Sequence, residues 1–484
     1  MRILLAAIAV ALATPIAAQA VQTPAATVAE TAATRFVAAF NAPGSLETFV
    51  AANFTQAALG RESAKSRATD LDRLKAEAGG LSVIESKQQG ERMVEMTAAT
   101  RNGAKFARLV LFTSGKEPGK ITDIFVLDAR DPKRVSADAF PKAKVSDQEA
   151  ARLIKRRVDA LTKEDRFSGA VIVAHRDKVI FREARGLADQ DWKIPNKTST
   201  RFHIASVGKM WTAVAVMRLV EQGKLSLDDT LAKWVPSYPH KEAAEKITLR
   251  MLLQHRAGLA EWDGRKLGNL DGAQTAATMT EAPGEPDKRF SYSNAGYVLL
   301  QAAAEAATGI SFEQLMRQHV FAPAGMTRSG VWPVTAIVTD RATGYLRPAS
   351  DPLGFGPRYA NAQFLGYGAN GSGGGYSTVD DMLAFNRALA SGKLVKPETL
   401  ARMKSESVEF PGTQRPSRYG LGLTLTDCAG VPTLGHGGGG PNSGVSSVTY
   451  ASLDGEWTVV VLSNYDPPAA EDLAFDICEL VHRK

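Results

Sequence analysis

Along this chain the spacing of apolar residues changes period several times, and each change marks a change of element. From about Thr31 to Ala78, the stretches ATRFVAAF, SLETFVAANF and ATDLDRLKAEA set apolar side chains three and four apart. That is the period of a helix with one buried face. Gly79-Gly80 stops it. The period then falls to two in SVIESK, RMVEMTAAT, KFARLVLFTS and KITDIFVLDA, which predicts four strands turning at Gly90, Asn102-Gly103 and Gly115 to Gly119. Helices followed by an antiparallel meander predict a small α+β domain over residues 31–128. Asp131-Pro132 and AFPKAKVSDQEAA predict a linker over 129–146.

A second domain is expected over 147–484. It opens with a helix near 147–164 and a tight hairpin, SGAVIVAHRD and KVIFREARG, turning at Arg176-Asp177. The middle, roughly 200–405, is mostly helical with loops; its clearest helix is the apolar run Met210 to Val220, ended by Gly223. Strand patterns return in YGLGLTLT, VPTLGHGG, GVSSVTYAS and EWTVVVLSN, and an amphipathic helix closes the chain at 469–482. Strands from both ends of the domain thus flank a helical insertion. The simplest closed arrangement is one antiparallel sheet built from both ends, with the last helix on one face and the helical block beside it.

The N-terminus carries a different signal. Arg2, an apolar run from Ile3 to about Ala13, and Ala18-Gln19-Ala20 have the order of a secretory signal cleaved after Ala20. The run is shorter than the roughly 20 residues a membrane span needs. Residues 21–30 are then a flexible leader, no transmembrane segment remains after cleavage, and the mature protein is expected to be secreted or periplasmic.

Composition is that of a globular protein, hydrophobic 44% and charged 23%. The net charge is +7. The basic residues are scattered, and the densest group, LIKRRVDALTKEDR, is interrupted by acids, so a solvated helix face explains it better than a nucleic-acid surface. Two cysteines, Cys428 and Cys478, and seven histidines form no metal-ligand spacing. Export permits a Cys428–Cys478 disulfide but does not require one.

Three short motifs are candidates for chemistry. In ASVGKMW, Ser206 stands at the start of the apolar helix and Lys209 three residues on, facing the same side. The partial positive charge of a helix start and burial would both lower a lysine pKa, letting Lys209 accept a proton from Ser206. In SYSNAGYVLL, Tyr292 ends a loop, and Ser293 or Asn294 caps the next helix, closed by Gly309. In TLGHGGGG, His436 precedes glycines whose backbone another chain can approach closely. Each motif alone has an ordinary reading: a helix cap with a surface lysine, a turn tyrosine, a loop histidine.

Taken in that order, S-x-x-K, Y-x-N and H-G-G resemble the penicillin-recognising serine hydrolases. The likeness is to the branch holding class C β-lactamases, D-Ala-D-Ala carboxypeptidases, D-aminopeptidases and β-lactamase-like esterases. FSGAVIVAHRDKVIFREARGLAD, ITLRMLLQHRAGL and GGGYSTVDDMLAFNRAL are similar to further landmarks of that family. The N-terminal domain resembles an NTF2-like cone by element order. The resemblance implies a β-lactamase-like domain, an antiparallel sheet flanked by helices with an inserted helical region, and an acyl-enzyme needing no metal or organic cofactor.

It also implies roles. Ser206 attacks a carbonyl, Lys209 takes its proton, Tyr292 relays a proton to the leaving group, and Asn294 holds the substrate amide or orients Lys209. The N–H groups of Ser206 and Gly439 form an oxyanion hole on the strand of Gly437 and Gly438. His436 stands where β-lactamases carry a lysine, a permanent cation. A histidine titrates near 6.5 and is mostly neutral above it, which favours esters or D-amino peptides over β-lactams. His255 in LLQHRAGL has a structural place in that family. The expected partner is a small-molecule ester, peptide or peptidoglycan-derived substrate. A cell-wall DD-carboxypeptidase and a non-catalytic penicillin- or muropeptide-binding sensor are the alternatives.

Overall fold

The computed structural model describes residues 27–483 apart from 89–90, 104, 138, 261, 263–269, 334, 348–350, 352, 363–367, 412–415 and 441–442. The expected signal sequence (1–20) and most of the leader lie outside the described residues. The chain divides into two compact units, Met1–Asp131 and Pro132–Lys484.

In the first unit, helices α1 (Val28–Asn41), α2 (Glu47–Asn53), α3 (Gln56–Arg61) and α4 (Ala64–Ala78) precede strands β1 (Leu81–Gln88), β2 (Met93–Thr100), β3 (Phe106–Thr113) and β4 (Ile121–Ala129). α1 starts three residues before the apolar pattern becomes legible, because Thr27 and Glu30 form a reciprocal capping box that satisfies two amide donors. Its buried stripe, Ala29, Ala32, Ala33, Phe36 and Phe40, packs on β1, β2 and β3. β2 and β3 bury every second residue, and the four strands pair antiparallel in chain order. The helical and alternating patterns therefore meet across one shared core.

The second unit is built on an eight-stranded sheet. Its strands run, side by side, Val408–Glu409, Ser417–Tyr419, Thr424–Cys428, Val431–Gly439, Ser446–Ser452, Trp457–Ser463, then β5 (Gly169–His175) and β6 (Lys178–Arg185). Every neighbouring pair is antiparallel, and the last strand of this unit closes on its first, Val460 opposite Ile172. The near-continuous apolar run of β5 follows from burial on both faces. Val171 and Val173 join one core with α6 (Asp147–Lys163) and the C-terminal helix Glu471–His482. Ala170, Ile172 and Ala174 join the other, with the helical block.

Residues expected to be linker contain α5 (Pro132–Ala137), and Phe140 is buried against the α6 side of the sheet while its carbonyl accepts from Arg483. One anchoring ring among lysines, serines and prolines has no periodicity to read, which is why the stretch looks like a tether.

Cys428 and Cys478 are bonded. The bridge ties the strand Thr424–Cys428 to the C-terminal helix across a sequence separation of 50. Closing a loop of that length removes about 4 kcal/mol of chain entropy from the unfolded state. The double Cys428→Ala, Cys478→Ala variant is expected to lose about that much unfolding free energy, read as a lower urea midpoint at unchanged slope. A midpoint equal to wild type would show that helix packing alone holds this edge. No helix among the described residues is long and apolar enough to cross a membrane.

Candidate active site

The site grows from the start of α7 (Gly208–Glu221), a helix buried on nearly every side and hence central to the unit. Ser206 lies just before it, in the 3-10 turn Ala205–Val207. Ala205 adopts φ of 44°, a left-handed conformation that costs a residue with a Cβ roughly 1–2 kcal/mol. Surrounding hydrogen bonds hold the turn in place. Ile204 N donates to Gly375 O, Gly374 N donates to Ala205 O, and Ser447 Oγ donates to Ile204 O.

Lys209 follows one turn later and is fully buried. Its Nζ donates to Ser206 Oγ at 3.1 Å, Asn294 Oδ1 at 2.7 Å and Ser372 O at 2.6 Å. It also lies 4.9 Å from the centre of the Tyr292 ring and 5.5 Å from that of Tyr297. All of these neighbours are uncharged, and loss of hydration lowers the lysine pKa to about 7. Burial is the cause here; the helix start, which the sequence suggested as a contributor, is not needed to explain it.

Tyr292 and Asn294 come from the loop and first turn of the helix Asn294–Thr308. Ser293 between them is the cap, its hydroxyl accepting from Gly296 N. This splits the motif by function of backbone geometry: the cap side chain turns to the helix, and its two neighbours are left for the site. The Tyr292 hydroxyl is hydrogen-bonded with Ser206, and burial raises its pKa above the usual 10. The residue as a whole is still 38% exposed, so part of the ring remains open to solvent.

The strand Val431–Gly439 brings the third motif. A Cβ on Gly438 would run into the Ile204 carbonyl and lie 2.9 Å from Ser206 N, so only glycine lets the strand approach the Ser206 backbone this closely. On one side the strand pairs with Ser446–Ser452 through Gly439; on the other its pairing with Thr424–Cys428 ends at Gly435. His436, Gly437, Gly438 and Gly439 therefore run past the end of one neighbour, and no strand among the described residues pairs with that edge.

His436 is buried, with Nδ1 2.5 Å from Gly437 O and Nε2 2.9 Å from Tyr419 Oη. A carbonyl only accepts, so Nδ1 carries the hydrogen and Nε2 accepts from the phenol; this tautomer is assigned from the network. Burial, and then the charge of Lys209, lower its pKa to about 3. At neutral pH the ring is uncharged and both nitrogens are engaged.

Ser206, Lys209, Tyr292 and Asn294 thus converge on one ammonium, with His436 beside them, its ring centre 6.4 Å from that of Tyr292. Gly438 touches the Ser206 turn, and Gly437 and Gly439 continue the open edge. Several contributors had little sequence signal. Ser372 acts through a backbone oxygen, and only the glycines of GSGGGY hinted that backbone packs there; a Cβ on Gly373 would collide with the Ala205 carbonyl. Tyr297 and Tyr419 are core tyrosines by pattern, yet they complete the wall around Lys209 and His436. A surface groove of about 990 Å3, lined by Phe410, Arg418, Leu425 and Leu453, lies to one side and includes none of the four converging residues.

Among the described residues, one cluster has metal-ligand geometry: Cys428, Cys478 and His482, with ligand atoms within 4.8 Å of one another. Its sulfurs are joined in the disulfide and so offer no thiolates.

A family model described as Beta-lactamase matches residues 150–477. The chain is 27% identical to penicillin-binding protein 4* of Bacillus subtilis over 326 residues, 63% of this chain and 70% of that protein. It is 30% identical to the esterase EstB of Burkholderia gladioli over 321 residues, 58% of this chain and 81% of that protein. Among solved structures it is similar to EstCE1, a hydrolase with promiscuous acyltransferase activity, with TM-score 0.60 and 27% identity over 69% of this chain and 99% of that one.

Proposed function

Since the chain belongs to the Beta-lactamase family and is a serine hydrolase, we propose that it cleaves small esters or amides through an acyl-enzyme on Ser206. The observation that carries this reading is Lys209, a buried amine 3.1 Å from Ser206 Oγ with its pKa lowered to about 7. A surface lysine keeps its proton near neutrality; this one can give it up and serve as a base.

In the proposed reaction, neutral Lys209 takes the Ser206 proton as Oγ bonds to the carbonyl carbon. The negative charge that develops on the carbonyl oxygen is met by the N–H groups of Ser206 and Gly439. Tyr292 then gives its proton to the departing alcohol or amine and regains one from the Lys209 ammonium. Its raised pKa keeps the phenol protonated in the resting enzyme, which suits a donor and leaves the resting base to Lys209. Asn294 fixes the Lys209 amine through Oδ1. Water enters by the reverse sequence and releases the acid, restoring Ser206.

His436 sets the substrate class in this reading. A substrate carboxylate placed there meets a neutral ring with both nitrogens engaged, and a desolvated carboxylate without a partner is costly. Esters and uncharged amides are therefore favoured over penicillins and D-Ala-D-Ala termini. Wild-type enzyme is expected to turn over p-nitrophenyl butyrate at least about tenfold better, by kcat/KM, than a chromogenic cephalosporin or a D-Ala-D-Ala peptide. His436→Lys is expected to narrow that ratio by about tenfold, the effect of one charge-assisted hydrogen bond. Efficient cephalosporin turnover beside negligible ester hydrolysis would reverse the assignment. A fluorophosphonate probe is expected to add one equivalent of label, at Ser206; an unlabelled wild type would favour a binding protein over an enzyme.

The same reading takes residues 1–20 as an export signal and the protein as secreted or periplasmic, which the disulfide supports because such bonds persist in oxidising compartments. It takes residues 31–128 as an NTF2-like domain, supported by the order of helices and meander and by the seating of α1 on the sheet.

A further inference from the structure

His255 is not part of the proton path above, yet it holds the backbone on both sides of Tyr292. It follows the helix Leu249–Leu253 and is 2% exposed. Its backbone carbonyl accepts from Ser291 N at 2.8 Å, and its side-chain Nδ1 accepts from Ser293 N at 3.0 Å. The amides on either side of Tyr292 are therefore both held by one residue. The His255 ring lies 4.2 Å, centre to centre, from the Tyr292 ring at 31°, which places it against the phenol it brackets.

This arrangement is costly to the fold. His255 has φ of 57°, the left-handed region that a Cβ disfavours. With Nδ1 accepting, the ring hydrogen is on Nε2, and Nε2 is buried with no hydrogen-bond partner among the described residues. The ring sits instead among Phe290, Tyr292, Tyr297 and Tyr419. A helix end needing only a stop would accept glycine or asparagine in that conformation without burying an unpaired N–H. Strain and an orphaned donor kept together at one position beside a reacting group are what a positioning device looks like.

We propose that His255 is a positioning residue that holds the Tyr292 hydroxyl on Ser206, acting through hydrogen bonds to the two flanking backbone amides and a tilted ring contact. The inference rests on the reading of Tyr292 as proton donor. A loop tyrosine with a partly exposed ring has several rotamers open to it, and displacement of a reacting group by about 1 Å costs on the order of a hundredfold in rate. His255 removes that freedom from below and from both flanks.

Two substitutions separate its contributions. His255→Gly keeps the left-handed backbone and its carbonyl but loses the side-chain acceptor and the ring contact. His255→Asn keeps the left-handed backbone and restores a side-chain acceptor near Ser293 N. With p-nitrophenyl butyrate as substrate, His255→Gly is expected to lower kcat about a hundredfold with KM within about threefold, and His255→Asn to recover about tenfold of that loss. The decisive readout is a double-mutant cycle with Tyr292→Phe. If His255 acts through Tyr292, removing it costs nothing further once the phenol is gone. Losses that multiply would overturn the inference, as would wild-type kcat in His255→Gly. Should the glycine variant not fold, the asparagine variant carries the same cycle. A Tyr292→Phe enzyme with wild-type kcat would instead overturn the proton-donor reading itself, and the inference with it.

Discussion

Ser206→Ala is expected to lower kcat for ester hydrolysis by about 10^4- to 10^6-fold, with KM little changed. In the proposed reaction the hydroxyl supplies the bond-forming atom, and nothing else in the turn can replace it: Ala205 and Val207 flank it with apolar side chains, and Lys209 is fully buried. Backbone N–H groups and the Tyr292 phenol survive the substitution, so a small residual rate above water is expected from them. The measurement is initial-rate hydrolysis of p-nitrophenyl butyrate by purified variant, with loss of the fluorophosphonate mass adduct as the companion readout. Activity above about one per cent of wild type, with the adduct moved to another residue, would place the nucleophile elsewhere.

Lys209→Met is expected to have two large effects of opposite character. Activity falls by about 10^3-fold or more, because the proposed base is gone. Stability changes in a pH-dependent way. In the unfolded chain this lysine holds its proton up to pH about 10.5, whereas in the fold it does so only below about 7. Between those values the unfolded state binds the extra proton, so wild-type stability rises with pH across the window. The gap of 3.5 pK units corresponds to about 5 kcal/mol at most, borne in full at and below pH 7 and gone above about 10.5. Methionine has no proton to lose. The stability of the variant relative to wild type should therefore be most favourable near pH 6 and should decline steadily towards pH 10.

The variant also loses hydrogen bonds to Asn294 Oδ1 and Ser372 O, which lowers its curve without adding slope. Urea unfolding of both proteins at pH 6, 8 and 10 isolates the lysine, since the other titrating groups are common to the pair. Parallel curves would mean that Lys209 keeps an ordinary pKa, and the base would have to be sought elsewhere. The same pKa predicts that wild-type kcat/KM rises through pH about 7 with the slope of one proton. His436 adds no inflection in that range, its own pKa having been pushed to about 3.

Ser206, Lys209, Tyr292 and His436 were legible because each sits at a boundary that sequence marks well: a helix start, a loop-to-helix cap, a strand ending in glycines. His255 shows the limit of that kind of reading. In LLQHRAGL it looks like the end of a short helix, and so it is, yet its left-handed backbone aims a carbonyl and a ring nitrogen at amides near position 292. No local pattern encodes a contact across that distance. Tyr419 is a similar case. It reads as one more apolar strand residue, and its effect on the site comes from partners distant in sequence: its hydroxyl reaches His436 Nε2 and its ring packs beside those of His255 and Tyr292.

The sequence by itself determined the element types, the two-ended sheet with its helical insertion, and the order of the three motifs, because periodicity, capping and glycine placement are local properties of the chain. It left open whether Cys428 and Cys478 meet, how far the lysine pKa moves, and what His436 can offer a substrate. Those depend on desolvation and on partners brought from distant segments. The disulfide needs the C-terminal helix to pack on the strand of Cys428. The Lys209 pKa needs a pocket closed by residues from three separate stretches. The neutral, doubly hydrogen-bonded His436 needs Tyr419 opposite it. Burial and long-range pairing exist only once the chain has folded, and in this protein they separate a lysine whose pKa is lowered to about 7 from an ordinary one.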